Sequence, residues 1–270
     1  MTSAIIMFFS LPCLSYELAQ FNLIGFSADG RYLAWEEYGI QDGSGFPYCR
    51  VRIVNVVSNT VIEEESAVFE LGDPDIEPGQ NIRTFFDEYL DDRENEYRYW
   101  EERARGLVLP LIAERIGSFG ILEGNQGSLV VHHPLTDRTN FSSSIQFVSG
   151  WLGPWYKASP QFELVIDQQE IPLDSGVTSD FPFLDVLLSV RIVDLDGGQS
   201  HVLLDEIGSG QRKESAFTYG ILSIYVYQDD YIAVVLYKYQ NGFEGPDVRF
   251  RVITGEMPVY EQTFWYSTGY

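Results

Sequence analysis

Residues 32–55 read YLAWEEYGIQDGSGFPYCRVRIVN, and residues 231–254 read YIAVVLYKYQNGFEGPDVRFRVIT. Aligned without a gap, the two share Tyr32/Tyr231, Ala34/Ala233, Tyr38/Tyr237, Gln41/Gln240, Gly43/Gly242, Pro47/Pro246, Arg50/Arg249 and Arg52/Arg251, and Asp42 is matched by Asn241. Each stretch runs from an aromatic-rich apolar segment through a QxG loop and a proline into an RxR segment. Alternation of charged and β-branched residues at period two is the pattern of a strand on a half-buried sheet. Glycine and proline between two such runs mark a chain reversal. Both stretches therefore read as hairpins, and the chain as carrying a duplicated unit.

Reading outward, NLIGFS ends at the turn Asp29-Gly30, a strong short hairpin signal, and a further turn at Ser58-Asn59 leads into TVIEEE. The first unit thus becomes a four-strand antiparallel meander. A third echo, Val190-Arg191-Ile192-Val193-Asp194 before Gly197-Gly198, repeats the VRIVN of Val51–Asn55. The expected fold is mainly β, all-β apart from one inserted helical segment, made of duplicated antiparallel four-strand meanders in a propeller-like or sandwich arrangement. The internal repeats lie near residues 21–65 and 219–260.

The β pattern breaks at about 91–116, where Tyr97, Trp100, Ala104, Leu107, Val108, Leu111 and Ile112 recur at helical spacing. Asp91 or Asp92 supplies an N-cap and Gly117 a C-terminal glycine. Glu94–Arg98 and Glu101–Arg105 are i,i+4 pairs in the favourable order. Gly106 and Pro110 inside the run predict a kink or two shorter helices.

The 270 residues are 45% hydrophobic and 21% charged with a mean hydropathy of −0.09, which suits a globular chain and excludes a polytopic membrane protein. Seventeen Lys and Arg against 40 Asp and Glu give a net charge of −23, so a phosphate backbone is repelled and no nucleic-acid partner is expected. Residues 1–15, MTSAIIMFFSLPCLS, carry an apolar run too short to span a bilayer and long enough for a signal-peptide core. No basic residue precedes it, so the alternatives are an upstream start and a buried N-terminal strand. The signal-peptide reading leaves residues 16–270 as a single domain, secreted or periplasmic, with no transmembrane span in the mature chain. Of the two cysteines, Cys13 falls in the leader and Cys49 reads as a small core residue, so no disulfide framework or zinc spacing is present.

Three stretches, IGFSADGRYLAWEEYGIQDGSGFPY (24–48), LVLPLIAERIG (107–117) and NGFEGPDVRFRVITG (241–255), resemble a bacterial family of predicted secreted proteins, the domain of unknown function numbered 2259. The resemblance spans Ile24 to Gly255 and implies export and a single family domain. It implies no reaction and no catalytic residues. The missing basic n-region departs from the family pattern.

Nucleophile-elbow, HExxH, Walker A and dinucleotide-binding signatures are absent from the sequence. His132 and His133 point to opposite faces if they share a strand, which disfavours joint metal binding. Asp73, Asp75 and Glu77 alternate on an acidic loop without the glycine and distal glutamate of a calcium loop, and Asp194 and Asp196 suit turn chemistry. Two features carry binding expectations. The loop pair places Gln41, Asp42 and Tyr48 opposite Gln240, Asn241 and Asp247, as if flanking one cleft. Gly150–Tyr156 offers Trp151, Trp155 and Tyr156 as aromatic platforms. The function expected from sequence is a non-catalytic binding or interaction module of the cell envelope, without cofactor or metal, taking an envelope protein, peptide or glycan. The alternative is an envelope hydrolase using a carboxylate pair or a bound divalent cation.

Overall fold

Four successive alternating segments form β1 (Gln20–Phe26), β2 (Tyr32–Ile40), β3 (Pro47–Asn55) and β4 (Thr60–Val68) in a computed structural model. The structure describes residues 19–41, 44–68, 93–133, 142–149, 161–171, 185–242 and 246–258. These four strands pair in order as an antiparallel meander, sheet I. The turn into β2 is sterically fixed. Gly30 has φ +73°, and a Cβ there would lie 2.3 Å from the Tyr231 ring.

Helix α1 (Arg93–Ser118) follows, then β5 (Ser128–His132). Next come β6 (Ser144–Val148), β7 (Gln161–Ile171), β8 (Asp185–Asp194) and β9 (Ser200–Asp205), which form sheet III as a second meander. A single helical turn, α2 (Glu206–Ser209), leads to β10 (Thr218–Tyr227), β11 (Tyr231–Asn241) and β12 (Pro246–Glu256). These three strands form sheet II in the order β12-β11-β10-β5, with β5 added beyond β10. The described chain is mainly β, in three antiparallel four-strand sheets, as the sequence indicates.

The three sheets stack face to face with sheet II in the middle. On β11, Ile232, Val234 and Leu236 pack with Leu164, Leu188 and Ile192 of sheet III. The alternate residues Ala233, Val235 and Tyr237 pack with Leu33, Trp35 and Val54 of sheet I. Burial on both faces explains why β10 and β11 read as nearly continuous apolar runs, whereas β4 at an edge is largely exposed. Each fully buried Ile, Leu or Val contributes roughly 1.5–3 kcal/mol, so this double-sided layer carries much of the fold's stability.

The repeat is preserved in orientation. Ala34, Val51 and Ile53 face away from sheet II, towards α1. Their matches Ala233 and Val252 face sheet I, and the VRIVD residues Val190 and Ile192 face sheet II. Every sheet therefore turns its equivalent face the same way along the stack. The hairpins differ in register: Tyr32 pairs with Asn55, but Tyr231 pairs with Glu256, two residues beyond the aligned Thr254. An even shift leaves every side chain on its own face, which is how the ungapped similarity survives.

Helix α1 covers the free face of sheet I with a narrower stripe than the seven-residue pattern predicts. Ala104, Val108 and Ile112 are fully buried against Val51 and Ile53, while Leu107 and Leu111 are exposed. The helix is a single assigned element through Pro110, not two. It stops at Gly120, not Gly117. Gly120 has φ +65° and its N–H donates to Gly117 O, while Ile121 N–H donates to Ile116 O, the paired bonds of a Schellman stop. The predicted Glu101–Arg105 pair gives way to a stronger partner. Arg105 donates from Nη2 and Nε to the two oxygens of buried Glu36, at 2.6 and 3.0 Å, and from Nη1 to Glu102. Such a bidentate pair fixes the helix on the sheet. Among the described residues no helix is long and apolar enough to cross a membrane.

Candidate functional site

Besides packing on the face of sheet II, sheet I also reaches its edge. Strand β12 has one neighbour, β11, and their register is uninterrupted. Its outward backbone groups must therefore fall on alternate residues. Val248 O accepts from Ala19 N–H, Phe250 N–H donates to the Glu37 carboxylate at 2.8 Å, and Thr254 N–H donates to Asn59 Oδ1 at 3.1 Å. These contacts blunt an edge that would otherwise template strand pairing. Val252 lies between the two blocked positions. Its outward N–H and C=O meet no partner among the described residues.

Val252 borders a cavity of about 390 Å³ between the sheets, lined also by Trp35, Arg52, Asn59, Lys213, Glu214 and Arg251. Strand alternation sends Val51 and Ile53 to the helix and so turns Arg52 inward. Its Nε sits 2.7 Å from Glu64, and its guanidinium lies 5.4 Å from the centre of the Trp35 ring. The Trp35 indole N–H is buried and finds no hydrogen-bond partner among the described residues. Arg251 is deeper. It donates to Glu206 at 2.6 Å and to the Tyr219 hydroxyl at 3.0 Å. Glu206 also accepts from Leu188 N–H and Lys213 N–H, which anchors the loop carrying Lys213. Lys238 donates to Glu214 at 2.8 Å. The Lys213 amine makes no ion pair among the described residues.

The Glu214 carboxyl is held in its charged form. Burial acts to raise the Glu214 pKa, but Lys238, Arg251 and Arg52 more than offset it, and the carboxyl sits below its ordinary range. Burial pushes the Tyr219 hydroxyl up to about 12. Neither group is poised to exchange a proton near neutrality. Cys49 lies on the far face of sheet I, where burial pushes its thiol up to about 12 and makes it an inert core residue. Among the described residues no cluster of three or more His, Cys, Asp or Glu side chains could hold a metal ion. The Asp194–Asp196 segment is a hairpin turn, Asp194 Oδ1 accepting from Asp196 N–H. His132 is exposed and His133 half-buried.

Those residues singled out from sequence that the structure describes lie elsewhere. Gln41 holds the β2–β3 loop, accepting from Gly45 N–H and from Ser44 Oγ. Tyr48 is buried between sheets I and II with the Arg249 guanidinium 4.3 Å from its ring centre, so the stems of the two QxG loops do meet. Gln240 pairs with buried Asp247 across β11–β12, and Asn241 with Pro246. Asp42, Trp151, Trp155, Tyr156, Asp73, Asp75 and Glu77 fall outside the described residues. The cleft occupies the other half of the sheets, near the Asn59 turn. Sequence reasoning passed over Trp35, Arg52, Lys213, Glu214, Arg251 and Val252. The available signal was the Arg52/Arg251 identity: arginines retained at a position that alternation turns towards a neighbouring sheet.

Comparison of the chain with family models, with curated proteins and with solved structures gave no match.

Proposed function

We propose that the chain is a non-catalytic binding module of the bacterial cell envelope, exported behind its apolar leader as the likeness to predicted secreted proteins suggests. Its ligand enters the cleft between sheets I and II. The observation that carries this reading is the concentration of Arg52, Lys213 and Arg251 around one concave site in a chain of net charge −23. Arg52 and Arg251 are held by Glu64 and Glu206, and Glu214 by Lys238, so the charge of the cleft left unpaired among the described residues is the positive Lys213, which attracts a small anionic ligand. The fixed protonation of Glu214 and Tyr219 favours binding over proton transfer.

The test is a thermal-shift screen of small anions, sugars and peptides on the full chain and on Lys213→Glu and Val61→Glu, two exposed positions at the cleft. A ligand that stabilises the parent chain and loses that effect in both variants supports the reading. Stabilisation that both variants retain places the site elsewhere. Turnover of an envelope substrate, abolished in Glu214→Gln, would replace binding with hydrolysis.

A further inference from the structure

The open backbone position at Val252 says more about the ligand than the charge does. We infer that the cleft takes the C-terminal end of an extended peptide, which rests on the binding reading above. Three observations converge. First, Val252 presents both a donor and an acceptor at a free sheet edge, the pair that a peptide unit satisfies by adding as a strand. Second, the edge is closed on either side, by Glu37 at Phe250 and by Asn59 at Thr254. A strand that ran through would collide with both, so the edge admits one bridged residue, the end of a chain and not its middle. Third, the unpaired charge beside that opening is cationic, although Glu214 also lines it. Lys213 has no acid partner among the described residues, and Arg52 lies across the cleft, an arrangement that selects a terminal carboxylate over a terminal amine. The last side chain of the peptide would rest on Val54, Val61 and the Trp35 ring, which supply the apolar wall.

The experiment uses the full chain labelled with nitrogen-15 and the probe acetyl-Ala-Ala-Ala with a free carboxylate. The same peptide as its C-terminal amide, the peptide N-methylated at its last amide, and acetate alone serve as controls. The free acid should shift the Val252 amide resonance saturably. The amide, the N-methyl peptide and the Lys213→Glu protein should each bind about tenfold more weakly or less, each having lost one charged or bridging contact. Equal binding of acid and amide would overturn the carboxylate assignment. Acetate binding as tightly as the peptide would overturn the edge-pairing assignment. Absence of any Val252 shift up to about 10 mM probe would overturn the proposal outright. If the peptide fails while another ligand still stabilises the chain in a Lys213-dependent way, the ligand class is wrong and the binding reading stands. If no ligand acts through Lys213, both fall.

Discussion

Asn59 is the residue on which the three sheets converge. It sits in the β3–β4 turn at φ +51°, a left-handed conformation that asparagine tolerates better than most residues. Its side chain accepts from Thr254 N–H on sheet II and donates to Leu203 O on sheet III at 3.4 Å. Asn59→Ala removes both and should destabilise by about 1–3 kcal/mol in chemical denaturation. Asn59→Asp keeps the acceptor and should lose less. Arg251 makes a second test at this scale. It and Glu206 are 4% and 1% exposed, so Arg251→Met strands a buried carboxylate and should cost about 3–5 kcal/mol. The double change Arg251→Met with Glu206→Gln should cost less than the sum of the single changes, because the stranded charge is gone. Additive costs in the same denaturation experiment would show that the pair is uncoupled.

Glu214 supplies the pH dependence. Its folded pKa lies below the unfolded value, so the folded state binds fewer protons there than the unfolded one. Its stabilisation is complete above the unfolded carboxylate pKa and is lost as pH falls through the depressed folded pKa. Glu214→Gln should therefore be less stable than the parent chain at pH 7, and the gap should close in acid. A gap that widened towards acid would reverse the assignment.

At the scale of elements, the strands were legible because their period-two alternation and their turns agree. All four strands of sheet I fall where the alternating runs lie, and the turns at Asp29-Gly30 and Ser58-Asn59 form. The helix was legible in place but not in face. Its apolar residues span a wider arc than one sheet can cover, and the i,i+4 series Ala104, Val108, Ile112 won because Arg105 is drawn to Glu36. That choice depends on a residue of another element 69 positions away, which local periodicity cannot see. Ile112→Ala should cost about 2–5 kcal/mol, whereas Leu111→Ala, one position earlier, should fall within about 0.5 kcal/mol of the parent. Equal losses in denaturant titrations would mean that the outer stripe of α1 is also covered.

For the whole molecule, the candidate cleft was illegible for a topological reason. Arg52, Lys213 and Val252 come from distant parts of the chain, and they meet because sheet II, built mostly from residues 218–256, inserts between sheets formed earlier in the sequence. Duplication showed in the residues; the order of stacking did not. Charge acts at this scale too. With Arg52, Arg105 and Arg251 engaged in pairs at or between layers, the excess of 40 acids over 17 bases is left to repel itself at the surface. Added salt screens that repulsion, so the melting temperature should rise from about 0.01 to 0.5 M sodium chloride. A flat or falling profile would indicate that the surface charges are locally paired.

The same interleaving governs when the chain can finish folding. A growing polypeptide emerges amino end first, yet the layer that both outer sheets bury against is made last. Until residue 256 has been synthesised, Leu33 and Trp35 on one side and Leu164 and Leu188 on the other have no surface to close on. Maturation is thus postponed until β12 has emerged. A chain truncated before β10 should remain a sticky, protease-sensitive pair of half-built units.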